Sequence, residues 1–342
     1  MPAGPILFSV LDLASVREGG GVAESFRNSV ELARRTEALG YTRFWLAEHH
    51  NMPGIASAAT SVLIGHVAGA TSTLRVGSGG IMLPNHAPLI IAEQFGTLDA
   101  LYPGRIDLGL GRAPGSDQAT ARALGRSAEA GDRFPQLLEE LLHYLAPASP
   151  GQRIQAVPGA GAHVAVWLLG SSTFSAQLAA RMGLPFAFAA QFAPRLLHEA
   201  LHLYREGFQP SKFLLQPYAM VGLPLLAAES DAQAEHLATS AYQRVLRLIR
   251  GQPIFTPPPV ASMDGLWNEM EQAYVAGHFG AAIVGEPETV RQKLEAFLAD
   301  TQADELMLAS EFYRHEDRLH SYEIVADLPL LQPAAEQSAT VT

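Results

Sequence analysis

Eight short apolar runs, rich in β-branched and aromatic residues, recur along the chain, and a segment of helical periodicity follows each one. This alternation is typical of repeated βα units, whose strands lie parallel in one sheet. No linker divides the 342 residues into two cores, which favours one closed barrel over a doubly wound sheet with an added domain. The sequence therefore predicts an α/β fold, a single (β/α)8 TIM barrel over 1–335 with a disordered tail at 336–342. The predicted strands are 6–13, 43–50, 75–83, 105–112, 164–170, 185–192, 218–227 and 305–312.

Three stretches interrupt this alternation and are longer than ordinary connections. They follow strand 4 (113–130), follow helix 4 (146–163) and precede strand 8 (251–284). Loops of this length in a compact domain usually form lids or binding loops. We therefore expect 113–130 and 251–284 to cover a site.

Charge and cysteine content exclude several classes of function. Twenty-three Lys and Arg against 34 Asp and Glu give a net charge of −11, which argues against nucleic-acid or anionic-membrane partners. The sequence has no cysteine, which excludes disulfides, thiolate metal sites and a cysteine nucleophile. No apolar run reaches the roughly 18 to 20 residues of a membrane span, and the N-terminus lacks the basic region of a signal peptide. The sequence therefore predicts a cytoplasmic protein.

The second predicted strand ends in three polar residues, Glu48, His49 and His50. Barrel active sites lie at the carboxyl ends of the strands, and a histidine there could act as a general base near neutral pH. A hydrogen-bonded network that closes the barrel mouth is the alternative interpretation. Metal ligation is disfavoured because adjacent strand residues point to opposite faces and no H-x-H or HExxH spacing accompanies these three. No metal site is predicted.

Glycine-rich and hydroxyl-rich segments mark the ends of two further predicted strands. Strand 3 passes through Gly77-Ser78-Gly79-Gly80, where missing side chains permit either a bulge or a flat ligand against bare backbone. Strand 5 runs into the segment Gly170-Ser171-Ser172-Thr173-Phe174-Ser175 at the start of a helix. Hydroxyls and amides at a helix N-terminus can bind a phosphate, although a simple N-cap would use the same residues.

Two arginines could supply charge to the same anion. Arg112 ends strand 4 and Arg133 opens helix 4. A guanidinium group binds phosphate through two parallel hydrogen bonds, although a single surface arginine more often forms an ion pair. Lys212 and Lys293, the two lysines of the chain, lie off the strand ends, which makes a Schiff-base aldolase improbable.

Taken together, the runs 39–54, 74–117 and 167–189 resemble the bacterial luciferase-like, flavin-dependent monooxygenases. The resemblance covers about 5–330. It is carried by the EHH motif of strand 2, an LP-x-H-x-P motif after strand 3, PGR and G-x-GR around strand 4, and the serines after strand 5.

The resemblance implies roles for individual residues. His49 matches the family's general base near the flavin, and Gly79 with Gly80 matches a pair joined by a cis peptide bond beneath the isoalloxazine ring. Luciferase has alanines at these two positions, a glutamate where Ser171 stands, and a cysteine where Gly111 stands. The missing thiol argues against assuming light emission. The residues expected to contact the cofactor, several of them at the family's phosphate-binding positions, are Glu48, Ser78, Gly79, Gly80, Arg112, Arg133, Ser171, Ser172 and Ser175.

The implied activity is a two-component monooxygenase. A separate NAD(P)H:flavin reductase would supply FMNH2, which would react with O2 to a C4a-peroxyflavin and oxygenate a small organic substrate. An F420-dependent hydride-transfer enzyme and a non-catalytic flavin-binding protein remain as alternatives, and family analogy suggests a homodimer. Aldehyde, terpene, polyketide and alkanesulfonate substrates stay open, with an apolar pocket expected from Phe8, Trp45, Met82 and Phe192.

Overall fold

Nine parallel strands are present in residues 6–113, 117–126 and 128–330, the part of the chain that the computed structural model describes. The predicted tail at 336–342 lies outside these residues. The strand bounds are Leu7–Asp12 (β1), Arg43–Leu46 (β2), Arg75–Met82 (β3), Ile106–Gly111 (β4), Ala165–Gly170 (β5), Phe186–Phe188 (β6), Ala219–Ala227 (β7), Ile283–Gly285 (β8) and Glu305–Ala309 (β9).

Eight of the nine strands close into a ring. In this ring each strand from β1 to β6 pairs with the next strand along the chain. The strand β7 then pairs with β9, and β9 closes the ring by pairing with β1. This confirms the predicted (β/α)8 barrel. The remaining strand, β8, lies outside the ring and pairs with β7 through Leu225 and Ile283. The sequence did not predict β8 because this strand has only three residues, which lie where the third insert meets the next helix.

The largest differences from the predicted strand ends lie at β2 and β6. The strand β2 stops at Leu46 and β6 stops at Phe188, each four residues short of the predicted end. After β2, the buried Glu48 accepts a hydrogen bond from the backbone amide of Met82 (3.0 Å). After β6, the Ala190 amide bonds back to the Phe188 carbonyl (3.1 Å), which closes a tight turn. Both segments therefore form loops at the barrel mouth instead of extending the sheet.

Helices alternate with the strands and cover the outside of the ring. The periodicity of apolar residues predicts helices over 22–39 and 286–299, and the first and tenth helices, Val22–Ala38 and Pro287–Thr301, agree with these ranges within two residues. None of the described helices is both long and apolar enough to cross a membrane. The helix bounds are Val22–Ala38 (α1), Thr60–Ala70 (α2), Pro88–Leu101 (α3), Gln118–Ala123 (α4), Phe134–Leu145 (α5), Thr173–Met182 (α6), Leu197–Glu206 (α7), Asp231–Ile249 (α8), Glu269–His278 (α9), Pro287–Thr301 (α10) and His315–Ala326 (α11).

Apolar side chains fill the ring as well as the layer between strands and helices. Inside the ring, Leu11, Trp45, Trp167, Met220 and Met307 form one cluster. The rings of Trp45 and Trp167 meet edge to face with centroids 5.3 Å apart, an arrangement that aromatic quadrupoles favour. The barrel interior is therefore a packed core, and a ligand can enter only above this cluster.

A network of buried charges closes the amino ends of the strands. Arg43, at the start of β2, donates to Asp107 (3.0 Å) and to both oxygens of Glu305 (3.0 and 3.1 Å). Trp45 Nε1 donates a further hydrogen bond to Asp107 (3.0 Å). Burial alone would raise the pKa of Asp107, but the charges of Arg75 and Arg43 outweigh burial and lower it. We call this network the barrel floor.

The third insert begins as a strap across the barrel mouth. The Ile254 amide donates to the carbonyl before Gly54 (2.9 Å), and the Thr256 amide donates to the Val16 carbonyl (3.0 Å). A Cβ at Gly54 would lie 2.4 Å from the backbone of Ile254, and its φ of +107° suits glycine. The strap is thus anchored to the loops that follow β1 and β2.

Candidate active site

A cavity of about 520 Å³ opens at the carboxyl ends of the ring strands, a volume typical of small-molecule sites. Trp45, Met82 and Phe192 line it, as the sequence predicts. Phe8 lies instead in the layer between strands and helices. Alternate residues of a strand face opposite sides, and on β1 the inward position at the cavity belongs to Leu11.

The strand β3 exposes bare backbone to this cavity at Gly79 and Gly80. A Cβ on Gly79 would lie 2.7 Å from Leu11 Cδ1, and one on Gly80 would lie 2.6 Å from the Gly109 carbonyl oxygen. The peptide bond between the two glycines is cis, as the resemblance implies. The pairing of β3 with β4 also shifts register between Gly79 and Ile81. The strand therefore both bulges and presents a wall without side chains.

The helix α6 supplies an anion-binding rim. It begins directly after β5, with Ser172 at its N-cap position, and Ser171, Ser172 and Ser175 line the cavity. Among the described residues, no capping hydrogen bond occupies the Ser172 side chain. Gly170 makes room for Ser175, since a Cβ at Gly170 would lie 2.6 Å from the Ser175 hydroxyl oxygen. Hydroxyls beside the positive end of a helix dipole form a site for phosphate.

Two guanidinium groups stand beside this rim. Arg112 lines the cavity and stacks over Phe174, with 4.2 Å between its guanidinium carbon and the ring centroid. Arg126, in the first insert, also lines the cavity and donates to Asn85 Oδ1 (3.1 Å) and to the Arg112 carbonyl (3.3 Å). Sequence reasoning missed Arg126 because it lies fourteen residues beyond the strand end. The one indication in the sequence is that Arg126 lies within the first insert, which is predicted to cover a site.

Four predicted site residues, Glu48, His49, Ser78 and Arg133, are not among the described residues that line the cavity. Arg133 is exposed just before α5, and its neighbours Gly131 and Asp132 line the cavity in its place. Ser78 is fully buried and donates to the Gly109 carbonyl (2.8 Å). His49 is partly buried and is not among the described residues that line the cavity. Roles for these four residues in binding or catalysis stay predictions.

Glu48, only 1% exposed, is the centre of a hydrogen-bonded network at the barrel mouth. The Nε2 atoms of His50 and His86 lie 2.9 Å from its carboxylate, and Asn85 Nδ2 donates to it (3.1 Å). Burial would raise the pKa of Glu48, but hydrogen bonds and charge from His86 outweigh burial and lower it. Together with the Met82 amide, these contacts tie the loop after β2 to the loop after β3. The network interpretation of the EHH motif therefore holds for Glu48 and His50.

The same residues could also hold a metal ion. Glu48, His50 and His86 each offer a ligand atom, and these atoms lie within 4.8 Å of one another. Two histidines and one carboxylate are the ligand set of several zinc and iron enzymes. The carboxylate nevertheless already receives donors from the described residues, so its burial is explained without an ion.

Removal of metal ions should leave the protein unchanged. Dialysis against EDTA should shift the melting temperature by less than about 1 °C, because the donors around Glu48 stabilise it without a cation. Differential scanning fluorimetry before and after dialysis, with elemental analysis of the purified protein, measures this. Stoichiometric zinc, together with a drop of about 5 °C or more on its removal, would contradict the expectation.

A second metal-like pattern lies on the outer wall. His198, Glu199 and His202 of α7 match the H-E-x-x-H spacing of zinc peptidases. All three are exposed, and His198 pairs with Asp300 at 3.3 Å. No group of three ligand atoms forms there among the residues that the structure describes. We therefore assign this pattern to the solvent-facing side of α7.

Fold and cavity define the class of protein. The parallel barrel carries its cavity at the carboxyl ends of the strands, where barrel enzymes bind substrates and cofactors. The cavity combines an apolar inner end, a bare-backbone wall and an anion-binding rim with two arginines. This is a (β/α)8-barrel enzyme.

Comparison with known proteins gives the family. The model of the luciferase-like monooxygenase family matches residues 6–305. A luciferase-like monooxygenase from Escherichia coli (strain K12) is 53% identical over 324 residues, covering 94% of this chain and 97% of that protein. The crystal structure of apo-MsnO8 is similar at a TM-score of 0.85 with 36% identity, covering 96% of this chain and 99% of the other. The chain belongs to the luciferase-like monooxygenase family and is a monooxygenase among the oxidoreductases.

More distant solved structures share the fold and carry different cofactors. The oxygenating constituent of 3,6-diketocamphane monooxygenase from Pseudomonas putida, in complex with FMN, has a TM-score of 0.72 at 16% identity and covers 96% of this chain and 99% of its own. An F420-dependent secondary alcohol dehydrogenase with an F420–acetone adduct has a TM-score of 0.68 at 15% identity, covering 96% and 100%. These two likenesses show the fold alone, and both proteins carry cofactors of the flavin type.

Proposed function

We propose that this protein is the oxygenating component of a two-component, FMN-dependent monooxygenase. It takes FMNH2 from a separate NAD(P)H:flavin reductase and uses O2 to oxygenate a small organic substrate. One observation carries the proposal: a single cavity joins the bare backbone of Gly79 and Gly80 to the anion-binding rim of Arg112, Ser172 and Ser175. A planar ring with a phosphate tail needs both features.

The described residues fit reduced FMN. Gly79 and Gly80 present backbone without side chains to the cavity, a surface on which a flat ring system can lie. Arg112 and the α6 serines would hold the phosphate through charge-assisted and hydroxyl hydrogen bonds. Bound there, reduced FMN supplies the electrons and the reactivity toward O2, while the chain supplies position and electrostatics. The apolar inner end, with Trp45, keeps water from the reacting groups.

We assign the proton-transfer role to His49. Its neighbours Glu48 and His50 are held in the network at the barrel mouth, so the backbone that carries the imidazole is fixed on both sides. The imidazole is the side chain best suited to accept and release a proton near neutral pH.

Binding and reoxidation measurements test the function. Anaerobic titrations with photoreduced FMN and with reduced F420, followed by mixing with O2, should show FMNH2 binding and O2 consumption. Bound flavin should reoxidise about tenfold or more slowly than free FMNH2, because the cavity excludes water. The His49→Ala variant should bind FMNH2 normally and show a reoxidation rate different from that of the wild type.

Three outcomes would contradict parts of this proposal. Tight F420 binding without FMN binding would identify an F420-dependent hydride-transfer enzyme. FMN binding without O2 consumption would identify a non-catalytic flavin-binding protein. A His49→Ala variant that turns over like the wild type would remove that residue from the mechanism.

We also propose a homodimer formed through α2 and α3. Val62 is 70% exposed, Ile90 is 49% exposed and Leu101 is 63% exposed, although all three are large apolar residues on adjacent helices. Exposed apolar residues grouped on one surface mark interaction sites in soluble proteins. Isologous contact through such a surface is the commonest form of dimer.

Charge on this surface should dissociate the dimer. The double variant Val62→Asp/Ile90→Asp should elute as a monomer of 36.6 kDa, while the wild type elutes at about twice that mass. Size-exclusion chromatography with light scattering measures both. Val22→Asp, at a 50% exposed position on α1, serves as the control and should stay dimeric. A monomeric wild type would disprove the proposal.

A further inference from the structure

We infer that the cavity takes a neutral, mainly apolar substrate with one hydrogen-bond donor, which Gln191 recognises. This inference rests on the proposed function, because it divides the cavity into a cofactor side and a substrate side. The cofactor side consists of the ends of β3, β4 and β5. The other side, which we call the substrate wall, consists of Ala187, Ala189, Gln191, Phe192, Met220, Gly222 and Met307.

Charge is distributed unequally between the two sides. Arg112, Arg126 and Asp132, the charged residues among the described lining, all belong to the segment that follows β4. The substrate wall carries no charged side chain among the described lining residues. The segments outside the description, at 1–5, 114–116, 127 and 331–342, contain neither lysine nor arginine. A cationic side chain for this wall therefore cannot come from them.

This distribution excludes anionic substrates. A sulfonate or carboxylate against the substrate wall would lose its hydration without gaining a cation, which opposes its binding. Under the proposed function Arg112 is engaged by the phosphate of the cofactor, and Arg126 donates to Asn85 and to the Arg112 carbonyl. Alkanesulfonates and polycarboxylates therefore do not fit this wall, and neutral molecules do.

Gln191 specifies the polar group of the substrate. Its Oε1 atom is buried and has no hydrogen-bond partner within the described part of the chain. Gly222 provides the space, since a Cβ at Gly222 would lie 2.2 Å from that oxygen. A buried acceptor left unpaired weakens a complex by about 5- to 150-fold, so a ligand that donates to it is selected. Apart from this amide, the substrate wall consists of apolar side chains and glycine, so the matching ligand carries one hydroxyl or amide N–H group on an apolar body.

Three probes built on an unbranched six-carbon chain test this inference on the FMN-loaded protein. Hexanamide carries the donor, N,N-dimethylhexanamide lacks it, and hexane-1-sulfonate carries a charge. Dissociation constants follow from perturbation of the flavin absorbance. The wild type should bind hexanamide about tenfold or more tightly than either other probe, as expected for one satisfied buried acceptor.

Substitutions separate the role of Gln191 from general packing. Gln191→Leu should reduce the hexanamide advantage over the dimethyl probe to about twofold or less. Gly222→Ala should reduce the same affinity ratio, because the new Cβ would displace the Gln191 amide. This second variant provides the test if Gln191→Leu does not fold. Gln233→Leu, at an exposed position on α8, is the matched control and should keep the wild-type ratio.

The results distinguish failure of this inference from failure of the proposed function. FMN titration without probes comes first, and absence of FMN binding would overturn both. If FMN binds, equal affinity for the sulfonate and the amide would overturn the neutral-substrate assignment alone. An unchanged hexanamide advantage in Gln191→Leu and Gly222→Ala would remove Gln191 as the recognition residue.

Discussion

Replacing Asp107 with alanine should lower the free energy of unfolding by about 3–5 kcal/mol, the usual cost of removing one partner from a buried ion pair. Asp107 is fully buried, and Arg43, whose side chain is 6% exposed, would keep only Glu305 as a charged partner. Trp45 Nε1 would lose its acceptor as well. Urea unfolding followed by circular dichroism measures the change. Glu316→Ala, which breaks an exposed pair with Arg314, should leave the unfolding midpoint unchanged.

The loss of stability in Asp107→Ala should also depend on pH. The pKa of Asp107 is lower in the folded protein than its ordinary value of 3.8. Its contribution is therefore fully present above pH 3.8 and is lost as the pH falls through the lowered folded value. The stability difference between wild type and variant should stay constant down to about pH 4 and shrink below it. A difference that shrinks between neutral pH and pH 5 would point to another group.

Arg112→Ala should weaken FMN binding by about 30- to 150-fold, equivalent to about 2–3 kcal/mol for a charge-assisted phosphate contact. Riboflavin lacks the phosphate, so its affinity should be the same in the variant and the wild type. Fluorescence titrations with both ligands measure the two effects. Arg181→Ala removes an exposed arginine in the last turn of α6 and should change neither affinity. Equal losses for FMN and riboflavin would contradict a phosphate role for Arg112.

Much of the fold was predictable because it depends on local periodicity. Alternating strands and helices predict a parallel sheet, and a count of eight βα units predicts that this sheet closes into a barrel. The ends of β2 and β6 were not predictable in this way. Glu48 leaves the sheet because its partners, such as His86, come from a loop 38 residues away. Composition within a short window cannot show such a contact.

The candidate site was predictable where strand ends carry unusual residues. Gly79, Gly80, Arg112 and the serines after β5 were identified from their residue types, and the structure brings them to one cavity. Arg126 and Gln191 were not identified, because both lie in loops beyond the strands that position them. A single arginine or glutamine in a loop has no sequence signature, and its role depends on what folds against it.

The barrel floor makes the cavity a dead-end chamber. Arg43, Asp107 and Glu305 block passage at the amino end, so every molecule that reaches Met220 or Met307 travels through the mouth and returns the same way. Under the proposed function, cofactor and substrate therefore share one entrance at the carboxyl ends of the strands.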